Sequence, residues 1–350
     1  MKTMYKILFF IVLIPKMGFA NDENHAYNKE KTISKTYNVN ADAQINVSNS
    51  YGNVNVYLWD ENKISIQVSI KVSGNNENKV NDKLSEIDVD FSASQSLVSA
   101  KTTFGNANWK GGNLSYEINY IVKLPMNGSV DIINKYGNIA IDKLMGSSNI
   151  TCHYGSINLG DFNNKSNNIN IAYSNKSSIH FIDKVNLKSQ YSDIDIQKVN
   201  QIEINGNYND FEFQSIGSLD INSNYSKIKA NSIQKVIVDG NYLTLKLGEI
   251  GKSVAVSSNY SDVRLSASNK TDGISIIGNY TNSKITCNQD YAFDIDVTLK
   301  YGSFNDDVGI KYSEKSEKNT SFSCTGYHIS QGKSKIKVIT NYGSVQLLTK

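Results

Sequence analysis

Three features of this sequence predict an all-β fold, specifically a single-stranded parallel β-solenoid (β-helix) with a β-rich N-terminal cap holding one short helix. The repeat length suits such a coil, at about 18 residues per turn of the solenoid. Tyrosines recur at this nearly fixed interval. Around each, apolar and polar residues alternate with period two, the pattern of a strand buried on one face. Small or turn-forming residues stand between the alternating segments.

The interval is read directly from Tyr136, Tyr154, Tyr173, Tyr191, Tyr208, Tyr225, Tyr242, Tyr260, Tyr280 and Tyr301, whose spacings are nearly equal. Tyr342 follows after close to two periods, and Tyr51 is an isolated early copy. Apolar residues stand six and four positions before each Tyr and three and five after it. Ile202, Ile204, Tyr208, Phe211 and Phe213 show the set, as do Val236, Val238, Tyr242, Leu245 and Leu247. The outlying copies obey it through Ile45, Val47, Val54 and Val56, and through Ile336, Val338, Val345 and Leu347. A further apolar residue eight positions on, such as Leu144, Val199 or Ile250, closes the unit. Two positions before the Tyr lies Gly or Ser, as in Gly206, Ser223, Gly240 and Ser258, and usually Asn directly before it. Such residues tolerate a sharp corner. A unit this short holds no helix and no propeller blade. Its apolar spacings are not the sixes of a hexapeptide β-helix. Successive coils about 4.8 Å apart would make a rod of roughly 50 to 60 Å. Tyr shares the parity of the apolar residues before it, which predicts an inward, corner-packed ladder through Tyr191, Tyr208, Tyr225, Tyr242 and Tyr260. An exposed aromatic platform stacking on sugars is the alternative.

Along the chain, residues 1–20 read as a secretory signal peptide: Lys2 and Lys6, an apolar run from Ile7 to Ile14, Pro15, then Gly18 and Ala20 before a cut at Asn21. The run is too short to span a bilayer, no transmembrane segment is expected in the mature chain, and no Cys follows the cut to carry a lipid. Residues 21–40 read as a flexible lead-in. Residues 41–124 read as a β-rich cap region containing the Tyr51 copy and one helical pattern, Glu77 to Ile87, with Val80, Leu84 and Ile87 on one face. Residues 125–350 carry the Tyr-anchored repeats, interrupted by a polar stretch near 306–320 that reads as an exposed loop.

Composition narrows the function classes. The 350 residues are 39% apolar and 20% charged, with 2 Pro and a formal charge of +3. Lys2, Lys6 and Lys16 belong to the leader, so the mature chain is formally neutral and has no field for nucleic acid. The four His are scattered and none of Cys152, Cys287 and Cys324 sits in a C-x-x-C, so no zinc site is expected. In an exported chain these are structural thiols, with Cys287 to Cys324 as the one pairing to look for.

The opening at Leu124-Pro125, the segment Val130 to Ile141, the Tyr-Gly-Ser and Tyr-Ser-Asp copies and the ending Val338 to Leu347 resemble the DUF4097-type "putative adhesin" family, bacterial β-strand repeat proteins related to head GIN domain proteins and common in Bacteroidetes. The resemblance spans about Asn38 to Leu347. It implies a repetitive β fold and an adhesive role, and brings no catalytic residues. This chain departs from the pattern by an insertion, Asn175 to Ser178, after Tyr173.

No catalytic residues, cofactor or metal site emerge from the motifs. Gly248 to Ser253 has two residues between its glycines where a phosphate loop needs four. The pairs Asp193 with Asp195 and Asp294 with Asp296 follow from strand alternation. Asp193 and Asp210 fall in one column of neighbouring coils, but no Arg or His clusters beside them to hold a uronate, which leaves a carbohydrate-active enzyme as an alternative only. One surface column stands out. Four positions after the Tyr run Asp195, Glu212, Lys229, Lys246, Arg264 and Lys284, acid giving way to four bases, a solvated face with a Glu212 to Lys229 pair at the seam or a stripe for an anionic ligand. The expectation is an exported, non-enzymatic scaffold of the periplasm or cell surface. Its partner would be an anionic envelope glycan or another envelope protein. A partner of an envelope signalling system is a third reading.

Overall fold

Alternation of this kind buries one face of each strand, and a coil that closes on itself gives all those faces one shared interior. The computed structural model describes residues 25–105, 114–332 and 334–350; the expected leader lies outside them. Among the described residues there are 24 strands and one helix.

β1 (Tyr27–Asn38) occupies much of the expected lead-in and is a regular strand. β2 (Gln44–Ser50) and β3 (Val54–Trp59) flank Tyr51 and form the first full coil. Residues read as cap thus contribute a coil, because β2 and β3 pair in parallel with β8 (Ser129–Lys135) and β9 (Ile139–Leu144) of the next one. The cap proper is built from the intervening segments: β4 (Lys63–Gly74), α1 (Glu77–Glu86), β5 (Ile87–Ala93), β6 (Leu97–Phe104) and β7 (Leu114–Pro125). β6 and β7 lie parallel beneath β2 and β3, then β4 and β1 add antiparallel outside β7, and β5 outside β6. The Asn76 side chain caps α1 by accepting the Lys79 N–H, and Val80 is buried against the sheet.

From β8 the chain climbs coil by coil through β10 (Ser148–His153), β11 (Ile157–Phe162) and the 41-residue β12 (Asn167–Asn207). It continues through β13 (Asp210–Asn224), β14 (Lys227–Asn241) and β15 (Thr244–Asn259), each paired in parallel with the coil before. β16 (Asp262–Ala267), β17 (Gly273–Asn279) and β18 (Asn282–Cys287) extend the stack. In the coil of Tyr208 the buried residues include Phe211, Phe213, Ile216, Leu219 and Ile221. Each contributes about 1.5 to 3 kcal/mol relative to exposure.

The far end departs from simple succession. β19 (Phe293–Lys300) and β20 (Phe304–Asp306), which flank Tyr301, do not pair with β17 and β18. The C-terminal strands β23 (Lys335–Asn341) and β24 (Val345–Thr349) lie between them, parallel to both neighbours. The long gap before Tyr342 is therefore an excursion: β21 (Lys311–Lys318) and β22 (Ser321–His328) form a hairpin outside β19 before the chain returns. The expected loop at 306–320 is thus largely strand. All eight residues of β21 are exposed and five are charged, so the outermost edge discourages further pairing. After β20, the Asp306 carboxylate accepts the N–H groups of Val308, Gly309 and Ile310 and the Tyr312 hydroxyl.

Two inward positions flank every Tyr, two before and one after, and they share one small space. Where the first is large, as in Asn49, Asn134, Cys152 or Thr340, the second is Gly52, Gly137, Gly155 or Gly343. Where the first is Gly or Ser, the second carries a side chain, and Ser223 with Ser226 and Ser258 with Ser261 join hydroxyls at 2.8 and 2.6 Å. A Cβ on Gly137 would lie 1.9 Å from the Gly52 carbonyl oxygen. Gly137→Ala should therefore destabilise by about 1 to 3 kcal/mol or more through overpacking, checked by the midpoint of a urea unfolding curve.

The three cysteines are free and buried, so the expected Cys287 to Cys324 bridge does not form. Burial pushes the thiols of Cys152 and Cys287 up to about 12 from 9.0. Above pH 9 the unfolded chain releases these protons while the folded chain keeps them. Their contribution to stability is thus whole below pH 9 and falls as pH rises toward 12. Stability measured from pH 9 to 11 should decline less steeply in a Cys152→Ala/Cys287→Ala double variant than in the parent.

Candidate functional site: an aromatic corner between two polar columns

Every repeat tyrosine adopts left-handed backbone geometry, with φ between 50° and 63°. That single inversion breaks the alternation. The residue after the Tyr turns inward instead, as Ser192, Asn209, Ser226, Ser261 and Thr281 do, and the Tyr turns out. The expected inward ladder through Tyr191, Tyr208, Tyr225, Tyr242 and Tyr260 is therefore an outward one, each ring 46–51% exposed.

The ladder is continuous from Tyr51 through Tyr136 and on to Tyr280, Tyr342 and Tyr301. Its steps have centroid separations of 4.6–5.2 Å and interplanar angles of 3–12°. At strand spacing the whole strip is roughly 50 Å long. At the first end Phe104 and Tyr116 meet Tyr51 edge-on, and the Lys83 ammonium lies 5.2 Å from the Tyr116 ring centre. At the other end the Lys300 ammonium lies 5.6 Å over Tyr301. Both faces of each interior ring are covered by its neighbours, which leaves no face there for a sugar to stack on. What solvent meets is a strip of ring edges and hydroxyls at strand spacing.

This strip is not free of cost. A non-Gly residue in the left-handed region costs roughly 1 to 2 kcal/mol, and each aromatic pair returns about 0.5 to 1.5 kcal/mol. Glycine would make the same corner without strain. The backbone offsets part of the cost, since the Tyr208 N–H donates to the Asn224 carbonyl and Tyr225 to Asn241 in repeating fashion.

On one side of the strip runs an asparagine ladder. The side-chain amides of Asn224, Asn241, Asn259, Asn279 and Asn341 each donate to the carboxamide oxygen of the Asn one coil earlier, at 2.7–3.0 Å. On the other side lies the charged column. Strand register places Asp195, Glu212, Lys229, Lys246, Arg264 and Lys284 side by side on successive coils. Lys229 binds the Glu212 carboxylate and Arg264 the Asp262 carboxylate. The hydrogen bond and charge of Glu212 raise the affinity of Lys229 for its proton. Lys246 and Lys284 are exposed and make no ion pair among the described residues. Asp193 and Asp210 are register neighbours, and Lys227 pairs with Asp210 at 3.3 Å.

Among the described residues no three of His, Cys, Asp and Glu gather as a metal site, and no helix is long and apolar enough to cross a membrane. No family model and no curated protein matches the chain. Among solved structures it is similar to a "putative cell adhesion protein" from Clostridium sporogenes at 11% identity, covering 93% of this chain and 100% of that one with a TM-score of 0.20. It is also similar to a "putative adhesin" from Parabacteroides distasonis at 9% identity, covering 91% and 97% with a TM-score of 0.38. A "putative lipid binding protein" from the same species shares 10% identity over 91% and 96%, with a TM-score of 0.27.

The balance of strain against stacking is measurable. Tyr225→Ala loses two ring contacts and keeps the strained corner, while Tyr225→Gly loses the same contacts and sheds the strain. Both should destabilise, and the glycine variant by less, with a difference of about 1 kcal/mol. Urea midpoints of the two variants check the order.

Proposed function

We propose that this protein is an exported, non-enzymatic β-solenoid of the bacterial cell envelope that serves as an interaction scaffold of the adhesin type. Its ligand on this reading is an anionic envelope glycan held along Lys229, Lys246, Arg264 and Lys284. The observation that carries the reading is the alignment of these four cations on one rigid face, with Lys246 and Lys284 lacking a counter-ion among the described residues. Like charges at strand spacing repel each other, modestly so in salt. A polyanion relieves that repulsion at several coils at once, which multiplies weak contacts. The signal-like leader supports export. The strained, outward tyrosines support a surface selected for contact, since such strain persists where structure or function demands it.

A charge-reversed Lys246→Glu/Lys284→Glu variant tests the stripe. Binding of the parent chain to immobilised lipopolysaccharide should weaken as salt rises, and the variant should lose that salt-sensitive component. Both substitutions are on exposed positions, so the melting temperature should stay nearly unchanged. Undiminished salt-sensitive binding by the variant would remove the stripe as a site.

A further inference from the structure

The asparagine ladder covers only the later coils. At the position directly before the Tyr, Asn207, Asn224, Asn241, Asn259, Asn279 and Asn341 are bonded amides, but the earlier coils carry Ser50, Lys135, His153, Ala172 and Gln190. Ala172 is the short one between His153 and Gln190. Its methyl leaves a groove of about 560 Å³ between its neighbours, bordered by His153, Asn170, Lys188, Gln190 and Asn205 and by Tyr154 and Tyr173 of the strip. Small-molecule sites run from about 300 to 1,000 Å³.

The same coil is irregular in a second, independent way. Its inward pair is Ile171 with Ser174, which breaks the large-then-glycine rule seen elsewhere. The insertion Asn175 to Ser178 absorbs the difference. Lys176 takes a further left-handed conformation at φ 59°, and Ser177 turns inward to join the Ser174 hydroxyl at 2.7 Å. The coil that departs from the repeat is the coil that opens the groove.

The chemistry of the lining is equally distinct. The ladder amides spend their hydrogen bonds on one another, whereas the side chains of Asn170, Lys188, Gln190 and Asn205 make none among the described residues. None of the lining residues is acidic, and Lys188 has no ion pair among the described residues. Burial and the nearby Lys135 hold the His153 imidazole below its usual range, so it is neutral at pH 7. Amides with both donor and acceptor to offer suit the hydroxyls of a sugar, an alanine methyl suits its apolar C–H patch, and one ammonium suits a carboxylate.

We propose that the groove over Ala172 is a binding site for an acidic monosaccharide unit, with Lys188 pairing its carboxylate and Asn170, Gln190 and Asn205 holding its hydroxyls. The site extends the glycan-binding reading above but lies across the tyrosine strip from the cationic stripe and on earlier coils. It stands or falls separately.

D-glucuronate and D-glucose, titrated into the purified chain and followed by NMR, provide the test. Glucuronate should bind and glucose bind about tenfold more weakly, the scale of one lost charge-assisted hydrogen bond. Ala172→Asn fills the groove with a side chain that the later coils already carry at this position, and Lys188→Gln removes the cation from an exposed position. Each should weaken glucuronate about tenfold, while Lys246→Glu/Lys284→Glu leaves it unchanged. Absence of glucuronate binding by the parent, equal affinity for glucose, or parent-like affinity in Ala172→Asn would overturn the proposal. Loss of glucuronate binding in the stripe variant alone would overturn it too, by assigning the sugar to the stripe.

Discussion

One backbone inversion per coil organises this molecule. A left-handed residue at the Tyr position lets the chain turn a tight corner, and it resets which side chains face in. Everything beside it follows from that reset. The preceding Asn carries the amide ladder, the following residue enters the interior, and the ring itself is sent to the surface, where its neighbours one coil away stack on it. The corner is cooperative in one dimension, because each ring and each amide is completed only by the adjoining coils. A change at one rung is felt by two others and by little else.

The surface that results is anisotropic. Across the corner, the strip separates a face of self-satisfied amides from a face of formal charges, and the phenol edges between them are neither strongly apolar nor ionic. Regularity along the rod makes departures informative. Ala172 and the insertion after Tyr173 are ordinary residues in isolation, and they matter because the other corners show what normally stands there.

Much of the fold was legible because solenoid coils write their interior into the sequence at fixed offsets. Ile202, Ile204, Phe211 and Phe213 announce the buried positions without any three-dimensional information, and the short helix after Asn76 carries its own periodicity and cap. The orientation of the tyrosines was not legible. Parity counting assumes an unbroken extended chain, and a Tyr in the left-handed region is a choice that propensity argues against. Residues 27–38 misled for another reason: β1 is an edge strand with only partly buried side chains, so its alternation is polar and weak. The charged column was legible as a column, since register follows the repeat. So was the pairing of Lys229 with Glu212 at the seam where acid meets base, whereas the Asp262 partner of Arg264 was not, because it depends on which rotamers meet. The groove left only a faint trace, one alanine between a histidine and a glutamine at the position before the Tyr.

The returning C-terminal strands give the rod a further property. A stack of coils ordinarily frays from its ends, since the last coil has a partner on one side only. Here the final residues of the chain are enclosed, with β23 and β24 gripped between β17 and β18 below and β19 and β20 above. A pulling force on β23 or β24 meets a clasped strand whose release requires two ladders to open together. Because β23 and β24 follow β19 and β20 in the chain, the tip of the rod is closed by strands that enter between two earlier ones.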